Sequence, residues 1–392
     1  MTTRTKDNGS KPLTKMRIAL LAATAMVVLG GNAQAASAYD TTDPEYIARA
    51  NDLVAQGKIT KECLPSSATA PNSEYKPIPE PTPELIAAAS NEGQLILNAA
   101  ISDKRSISAI QAAFELRYPK VKLQTATGNS ASLEERFLAD HAAGNQQADA
   151  AITTKIQWIE KAFKEQALLP LDETIPGIFD TWPGGSWKWE TKSGSAATPI
   201  NRPLGIAYNS DLVKGDLIPK QFKDLARPEF KGQLLAVDPE ASVTFARVWK
   251  HIMDSVGEDT MKAIGNNMIK DPLYSDIQPA SQVLGAGGAM VIMELGANVA
   301  ASMQASGAPV VGVMPDTATG TQYAFGVATK APHPNAAKLF AYWFHSAEGQ
   351  WVSSCAAYAG TLAYPENGTK KFVPIEKVSA EDIAKIKQLL GL

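Results

Sequence analysis

The sequence has little cysteine, little histidine and no excess of either charge, and each shortage removes a class of protein. Two cysteines among 392 residues are too few for a disulfide-built scaffold or a four-thiolate metal site. The four histidines, His141, His251, His333 and His345, stand far apart, and no His-Glu-x-x-His occurs. With 37 Lys and Arg against 40 Asp and Glu, the net charge is −3, without the basic surplus that nucleic-acid binding needs. Gly184-Gly185-Ser186-Trp187-Lys188 ends in lysine and so is no nucleophile elbow. There is no Walker loop. Gly285-Ala286-Gly287-Gly288-Ala289-Met290 lacks the third glycine of a dinucleotide fingerprint and precedes a strand-like run instead of following one. Glu134 and Glu135 belong on the early turns of a helix and do not read as a catalytic pair. An enzyme is therefore not expected, and neither is a cofactor or a bound metal. An exported hydrolase or transferase is the rival reading from another class.

What is present is apolar mass, at 45% of residues, enough to bury a large core. The length suggests two domains of roughly 100–200 residues each. Met1–Arg17 carries five basic residues and one acid. Ile18–Gly31 follows as an apolar or small-residue run that would reach about 21 Å as a helix, short of the ~30 Å hydrocarbon core. Ala33-Gln34-Ala35 or Ala36-Ser37-Ala38 then offers a small-x-small cleavage site. Together these describe a secretory signal peptide over residues 1–38. No cysteine follows the run, so lipid attachment is not expected there. Removing the leader's net +4 takes the mature chain to −7.

Export changes how Cys63 and Cys355 are read, because an even pair in an oxidising compartment most often forms a disulfide. Two independent buried thiols are the alternative. A bond would close a loop of 291 intervening residues, worth roughly 4–5 kcal/mol in the chain-entropy account.

Beyond the leader, residues 39–90 read as an extension lying along the surface. A short helix is expected from Asp43 to Ala55, then extended chain through Pro65, Pro71, Pro77, Pro79, Pro81 and Pro83. From Gln94 the pattern alternates. Strand-like Gln94–Ala100, Val121–Thr127 and Ala148–Ile152 are interleaved with helical Ser106–Arg117, Ser130–His141 and Lys155–Phe163. A Trp-, Gly- and Ser-rich stretch, Pro176–Pro199, reads as a loop. A second series follows: Gln233–Val237, Ala241–Val256, Ala289–Leu295, Ala297–Ala305 and Pro309–Met314. Gln322–Thr329 then returns as a strand and Asn335–His345 as a helix. This is an α/β pattern with mainly parallel sheet in two lobes. Extended segments near Arg202–Tyr208 and Gln322–Thr329 join them, which implies two hinge crossovers and a central cleft.

In open α/β sheets, ligands sit beyond the carboxyl ends of the strands, where helix N-termini offer free N–H groups. The candidate contacts are Ser102 and Asp103; Asn129 and Ser130, after Gly128; Thr153 and Thr154; Ser242 and Thr244; and Glu294. The Ser, Thr and Asn residues among them equally suit plain helix caps. Arg105 and Arg202 are the candidates for holding an anion in a guanidinium fork. Tyr208 and Tyr323 lie on the crossovers, near the floor of the cleft. Trp182, Trp187 and Trp189 suit either a ring-stacking platform or packing of their loop.

Two stretches resemble a known family. Leu204-Gly-Ile-Ala-Tyr-Asn-Ser-Asp-Leu212 is followed by Ile218-Pro-Lys-Gln-Phe-Lys-Asp-Leu-Ala-Arg-Pro-Glu-Phe-Lys-Gly232. Ala331-Pro-His-Pro-Asn-Ala-Ala-Lys-Leu-Phe340 leads to Ser346-Ala-Glu-Gly-Gln350. Over Gln94–Pro365 the chain resembles the periplasmic solute-binding proteins of ABC importers, of the ferric-iron type. Beside the signal peptide at 1–38 and the extension at 39–90, which departs from the family's usual pattern, the resemblance implies a first lobe of 91–203 with 322–392 and a second lobe of 204–321. It implies a monomeric clamp in the periplasm that carries a small-molecule ligand to an inner-membrane permease and its ATPase. No nucleic-acid partner is expected. Iron-binding members use adjacent tyrosines after a late strand, a place that falls here on Leu295-Gly296, and no Tyr-Tyr pair occurs anywhere. A small, anionic organic solute is therefore expected, with ferric iron or a ferric chelate as the alternative. A membrane receptor in place of the permease would look identical in sequence.

Overall fold

The computed structural model describes residues 40–392 apart from 102, 128–129, 183–186, 366–368 and 375–376. The leader at 1–38 and the candidates Ser102 and Asn129 lie outside the described residues, as does the Ser130 side chain. Helix α1 (Pro44–Ala55) opens on an Asp43 cap, as its sequence suggests. Helix α2 (Pro83–Glu92) was not expected among the prolines. Its start combines Pro83 in the first turn with the Thr82 hydroxyl accepting from the Leu85 N–H, and it stops at Gly93, whose φ of 72° favours glycine.

The first lobe then alternates as the periodicity predicts: β1 (Gln94–Ala99), α3 (Lys104–Arg117), β2 (Lys122–Thr127), α4 (Ser130–Ala142), β3 (Ala150–Thr153) and α5 (Ile156–Lys164). Strand β1 is flanked in parallel by β2 and β3, so the carboxyl ends of all three open on one edge. Short elements follow: β4 (Leu168–Leu169), α6 (Leu171–Thr174), α7 (Ile178–Thr181), and a hairpin of β5 (Lys188–Thr191) and β6 (Gly194–Ala197) where a loop was expected.

Strand β7 (Ile200–Asn209) carries the chain across. The second lobe holds β8 (Leu234–Leu235), α8 (Val243–Val256), α9 (Glu258–Asn267), α10 (Ile277–Gly285), β9 (Val291–Gly296), α11 (Ala297–Ala305), β10 (Val310–Val313) and β11 (Thr317–Ala318). Strand β12 (Gly320–Ala328) returns. The two crossovers pair with each other, Gly320–Tyr323 running antiparallel to Ile200–Pro203. Beyond that overlap β12 joins β3 in the first lobe, while β7 joins β9 and β10 in the second. Gly320 is needed at the overlap: a Cβ there would meet the Arg202 carbonyl oxygen at 2.2 Å.

After α12 (Pro334–His345) and α13 (Ala347–Ala357), the chain passes between the lobes a third time, where two crossovers were expected. Gly360 pairs with Asn201, β13 (Lys371–Phe372) lies parallel to β11, and the Thr369 hydroxyl donates to the Pro315 carbonyl. The last helix, α14 (Ala380–Leu390), therefore sits on the second lobe and not with the rest of 322–392. Its Ile386, Leu389 and Leu390 are buried in the core formed with Trp249, Ile252 and Ile264.

The extension also departs from expectation, since it belongs to the first-lobe core. Tyr46, Ala50, Ile59, Leu64, Tyr75 and Ile78 are buried there. The Trp351 indole donates to the Leu64 carbonyl, and the Tyr364 hydroxyl to that of Thr69. Cys63 and Cys355 are bonded, with Cα atoms 5.4 Å apart. The prolines at 77, 79 and 81 run along the surface, beside Tyr118, Tyr342 and Trp343.

Candidate functional site

Side chains alternate across a strand, so the overlap of β7 and β12 has two faces. Ile200, Arg202, Thr321 and Tyr323 share one, and Asn201, Pro203 and Gln322 share the other. The first face meets the start of α3. Asp103 caps that helix, accepting from the Arg105 N–H at 3.0 Å. Its Oδ2 takes the Ser106 hydroxyl at 2.5 Å and lies 3.5 Å from Arg202 Nη2. Arg202 also donates to Ser106 Oγ at 3.3 Å and to the Tyr323 hydroxyl at 3.5 Å.

Arg202 is only 8% exposed, and its buried Nε–H has no acceptor among the described residues. A buried guanidinium normally satisfies all of its donors. Arg105 stands in the open beside it and donates to the Tyr358 hydroxyl at 2.6 Å, with its guanidinium 4.6 Å from the centre of that ring. Lys104 is exposed in the same turn. Asp103 is paired with the Arg202 guanidinium and Glu62 lies close enough to Arg105 to feel its charge, so Lys104, Arg105 and Arg202 against these two carboxylates leave the mouth of α3 positively charged. The first turn of the helix adds to that potential.

The structure therefore brings Asp103, Arg105, Arg202 and Tyr323 together. It adds two residues that sequence reasoning missed. Ser106 carries a signal in retrospect, an Asp three residues ahead of it at a helix start. Tyr358 has none beyond its position three residues after Cys355.

The other candidates are placed elsewhere. The Thr153 hydroxyl is buried and donates to Glu134, whose second oxygen lies 3.2 Å from Lys155 Nζ. Thr154 is half-buried at the end of β3. Ser242 caps α8, accepting from the Phe245 N–H, and Thr244 sits half-buried in that helix's first turn. Tyr208 packs into the second-lobe core. Glu294 is 1% exposed: its Oε2 accepts the Val237 N–H at 2.8 Å and its Oε1 has no partner among the described residues. Burial, with Asp238 nearby, pushes this carboxyl well above its ordinary range, against the pull of the Val237 N–H. Trp182 is buried against His345, and Trp189 packs on the outer core of the first lobe. None of the three tryptophans joins the guanidinium cluster.

Across from Arg105, the second lobe presents a hollow of about 350 Å³ between α11 and β10, with Tyr358 at its edge. Helix α11 starts from Gly296 without a side-chain cap. A larger cavity, about 490 Å³, lies behind the crossovers, against Asn201 and Pro203, with Tyr75, Trp187 and Phe372 among its walls. Size favours the rear cavity. Chemistry favours the front, because the paired guanidinium groups and the unsatisfied donor are there. Among the described residues, no group of three or more His, Cys, Asp or Glu is placed to hold a metal ion, and no helix is long and apolar enough to cross a membrane.

Residues 95–352 match the family of bacterial extracellular solute-binding proteins. The chain belongs to that family. Solved structures share its two-lobed fold. One is a substrate-binding protein of an ABC transporter from Agrobacterium tumefaciens, with TM-score 0.56 and 16% identity over 77% of this chain and 96% of that one. Another is IdiA (FutA) of Trichodesmium, in complex with iron and citrate, with TM-score 0.56 and 17% identity over 76% of this chain and 99% of that one. A third is iron-bound HitA from Pseudomonas aeruginosa, with TM-score 0.52 and 15% identity over 76% and 96%. No curated protein sequence matches the chain significantly. At these identities the shared property is the fold, and the solute must be read from the cluster itself.

Proposed function

We propose that this solute-binding protein captures a small anionic organic molecule in the periplasm and delivers it to the permease of an ABC importer, without turning it over. The observation that carries the reading is the guanidinium pair. Arg202 is buried with an N–H unsatisfied among the described residues, Asp103 pairs with it, and Arg105 is exposed at the same helix start. An incoming carboxylate or phosphate satisfies that donor and balances the excess charge, in the charge-assisted geometry that arginine favours. The three crossing segments allow the lobes to close on a ligand that contacts both, so that binding shifts the open–closed population.

Native mass spectrometry of protein purified from periplasm, without added solute, tests this directly. The expected result is an organic adduct released on denaturation. A metal-sized adduct removed by a chelator would overturn the organic reading in favour of iron. Steady conversion of the released compound would overturn transport in favour of an exported enzyme.

A further inference from the structure

We infer that the solute is an amphipathic anion, a carboxylate or phosphate monoester whose compact body is apolar and carries no row of hydroxyls. This rests on the reading that Arg105 and Arg202 hold an anion, and it concerns what lies beside them.

The hollow in the second lobe is lined by Ile206, Leu295, Ala300, Val311 and Met314, with Tyr358 closing it on the first-lobe side. None of its lining residues is charged. Apart from the Tyr358 hydroxyl, which Arg105 already engages, Gln304 supplies the lining's one amide or hydroxyl side chain, and it is exposed. Tyr358 divides the site. Its ring carries the Arg105 guanidinium, and the same residue lines the apolar hollow. A molecule reaching from cation to hollow thus passes from charge to hydrocarbon over the width of one phenol ring. At about 350 Å³ the hollow is at the small end of ligand pockets, room for a short aliphatic chain or a single ring.

A polyhydroxylated body would lose water here without finding partners. Each stranded hydroxyl costs roughly tenfold in affinity, whereas a methylene gains from the same burial. The chemistry therefore selects against sugar acids and sugar phosphates, and in favour of fatty or aromatic acids of similar size.

Isothermal titration of the full purified protein, dialysed free of retained solute, provides the test, with hexanoate, benzoate, gluconate and inorganic phosphate as probes. Hexanoate and gluconate share six carbons and a carboxylate and differ in hydroxyls. The expected result is that hexanoate or benzoate binds at least about a hundredfold more tightly than gluconate. Ala301→Leu projects into the hollow from a half-buried helical site that tolerates leucine. It is expected to weaken that binding at least about tenfold while leaving inorganic phosphate unaffected. Gluconate binding as tightly as hexanoate, or an Ala301→Leu protein that binds hexanoate and benzoate like the parent, overturns this inference and leaves the anion reading standing. Failure of all four probes, with retention of a non-anionic solute or a metal, overturns both.

Discussion

The Arg105 guanidinium donates to the Tyr358 hydroxyl at 2.6 Å and also lies 4.6 Å from the centre of the Tyr358 ring, joining the first turn of α3 to the end of α13. Tyr358 makes this contact from a left-handed backbone, φ 49° and ψ 53°, at a helix end where glycine is the usual residue. Holding a bulky residue there costs about 1–3 kcal/mol. A strained tyrosine between two lobes is better explained by what its ring touches than by helix termination.

Replacing it separates the two roles. Tyr358→Gly is expected to leave the melting temperature unchanged or raised, because relief of strain offsets lost packing, while weakening binding of the captured solute at least about tenfold. Tyr358→Phe keeps the strain and the ring but loses the hydroxyl, and should fall between. Calorimetry and titration on the same preparations check both. A Gly protein that melts markedly lower but binds normally would make Tyr358 a purely structural residue.

Asp103 and Arg202 should respond in opposite directions. Arg202→Gln removes a charged donor from a buried position, and loss of one charge-assisted bond predicts a drop in anion affinity of about 1.5–3 kcal/mol. Asp103→Asn removes the carboxylate paired with Arg202, yet asparagine caps a helix as well as aspartate does. That variant should fold normally and bind the anion more tightly, most clearly at low salt. Equal weakening by both substitutions would show that the Asp103–Arg202 contact itself, and not a net positive mouth, is what binding requires.

How much of this could be read beforehand depends on how far apart the interacting residues lie. The alternating elements and both β-crossovers follow from periodicity, because burial at every second or every third to fourth residue is a local signal. The extension's role was hidden, since Cys63, Leu64 and Thr69 find their partners at Cys355, Trp351 and Tyr364. The cysteine pair alone pointed across that gap. The third crossing was missed because β13 is two residues long and carries no strand pattern. At the site, Arg105, Asp103 and Arg202 were legible as charged residues beside strand ends. Glu294 was misplaced for a different reason. It occupies a bulge, where pairing slips from Gly205–Leu295 to Ile206–Met293 and φ reaches 63°. That kink accompanies a carboxyl turned inward, and no local residue pattern announces it.

The disulfide should matter for the whole first lobe. Because the extension contributes buried side chains to that core, cutting its tether frees more than a surface strap. Cys63→Ala with Cys355→Ala is expected to cost about 2–5 kcal/mol. Reductant should lower the melting temperature of the parent and leave the double variant unchanged. A reductant-insensitive parent would mean that the extension's packing alone holds it in place.

Glu294 predicts a specific pH dependence. Its carboxyl is raised in the folded protein by burial, while in the unfolded chain it ionises in the ordinary range. The folded state therefore keeps a proton that the unfolded state gives up. Stability contributed by the protonated carboxyl is complete below the unfolded pKa and is lost as pH climbs toward the folded one. Glutamine in its place accepts the same Val237 N–H and never ionises. Melting curves of the parent and of Glu294→Gln should nearly coincide in acid, and the gap in favour of the variant should widen as pH climbs from the ordinary carboxylate range toward the folded pKa. Asp238, the charge nearest this carboxyl, enters the comparison, because its negative charge raises the cost of ionising Glu294. Adding Asp238→Asn should therefore narrow the gap. A gap constant across that range would mean that Glu294 is ionised in the folded protein and that its Oε1 has found a partner.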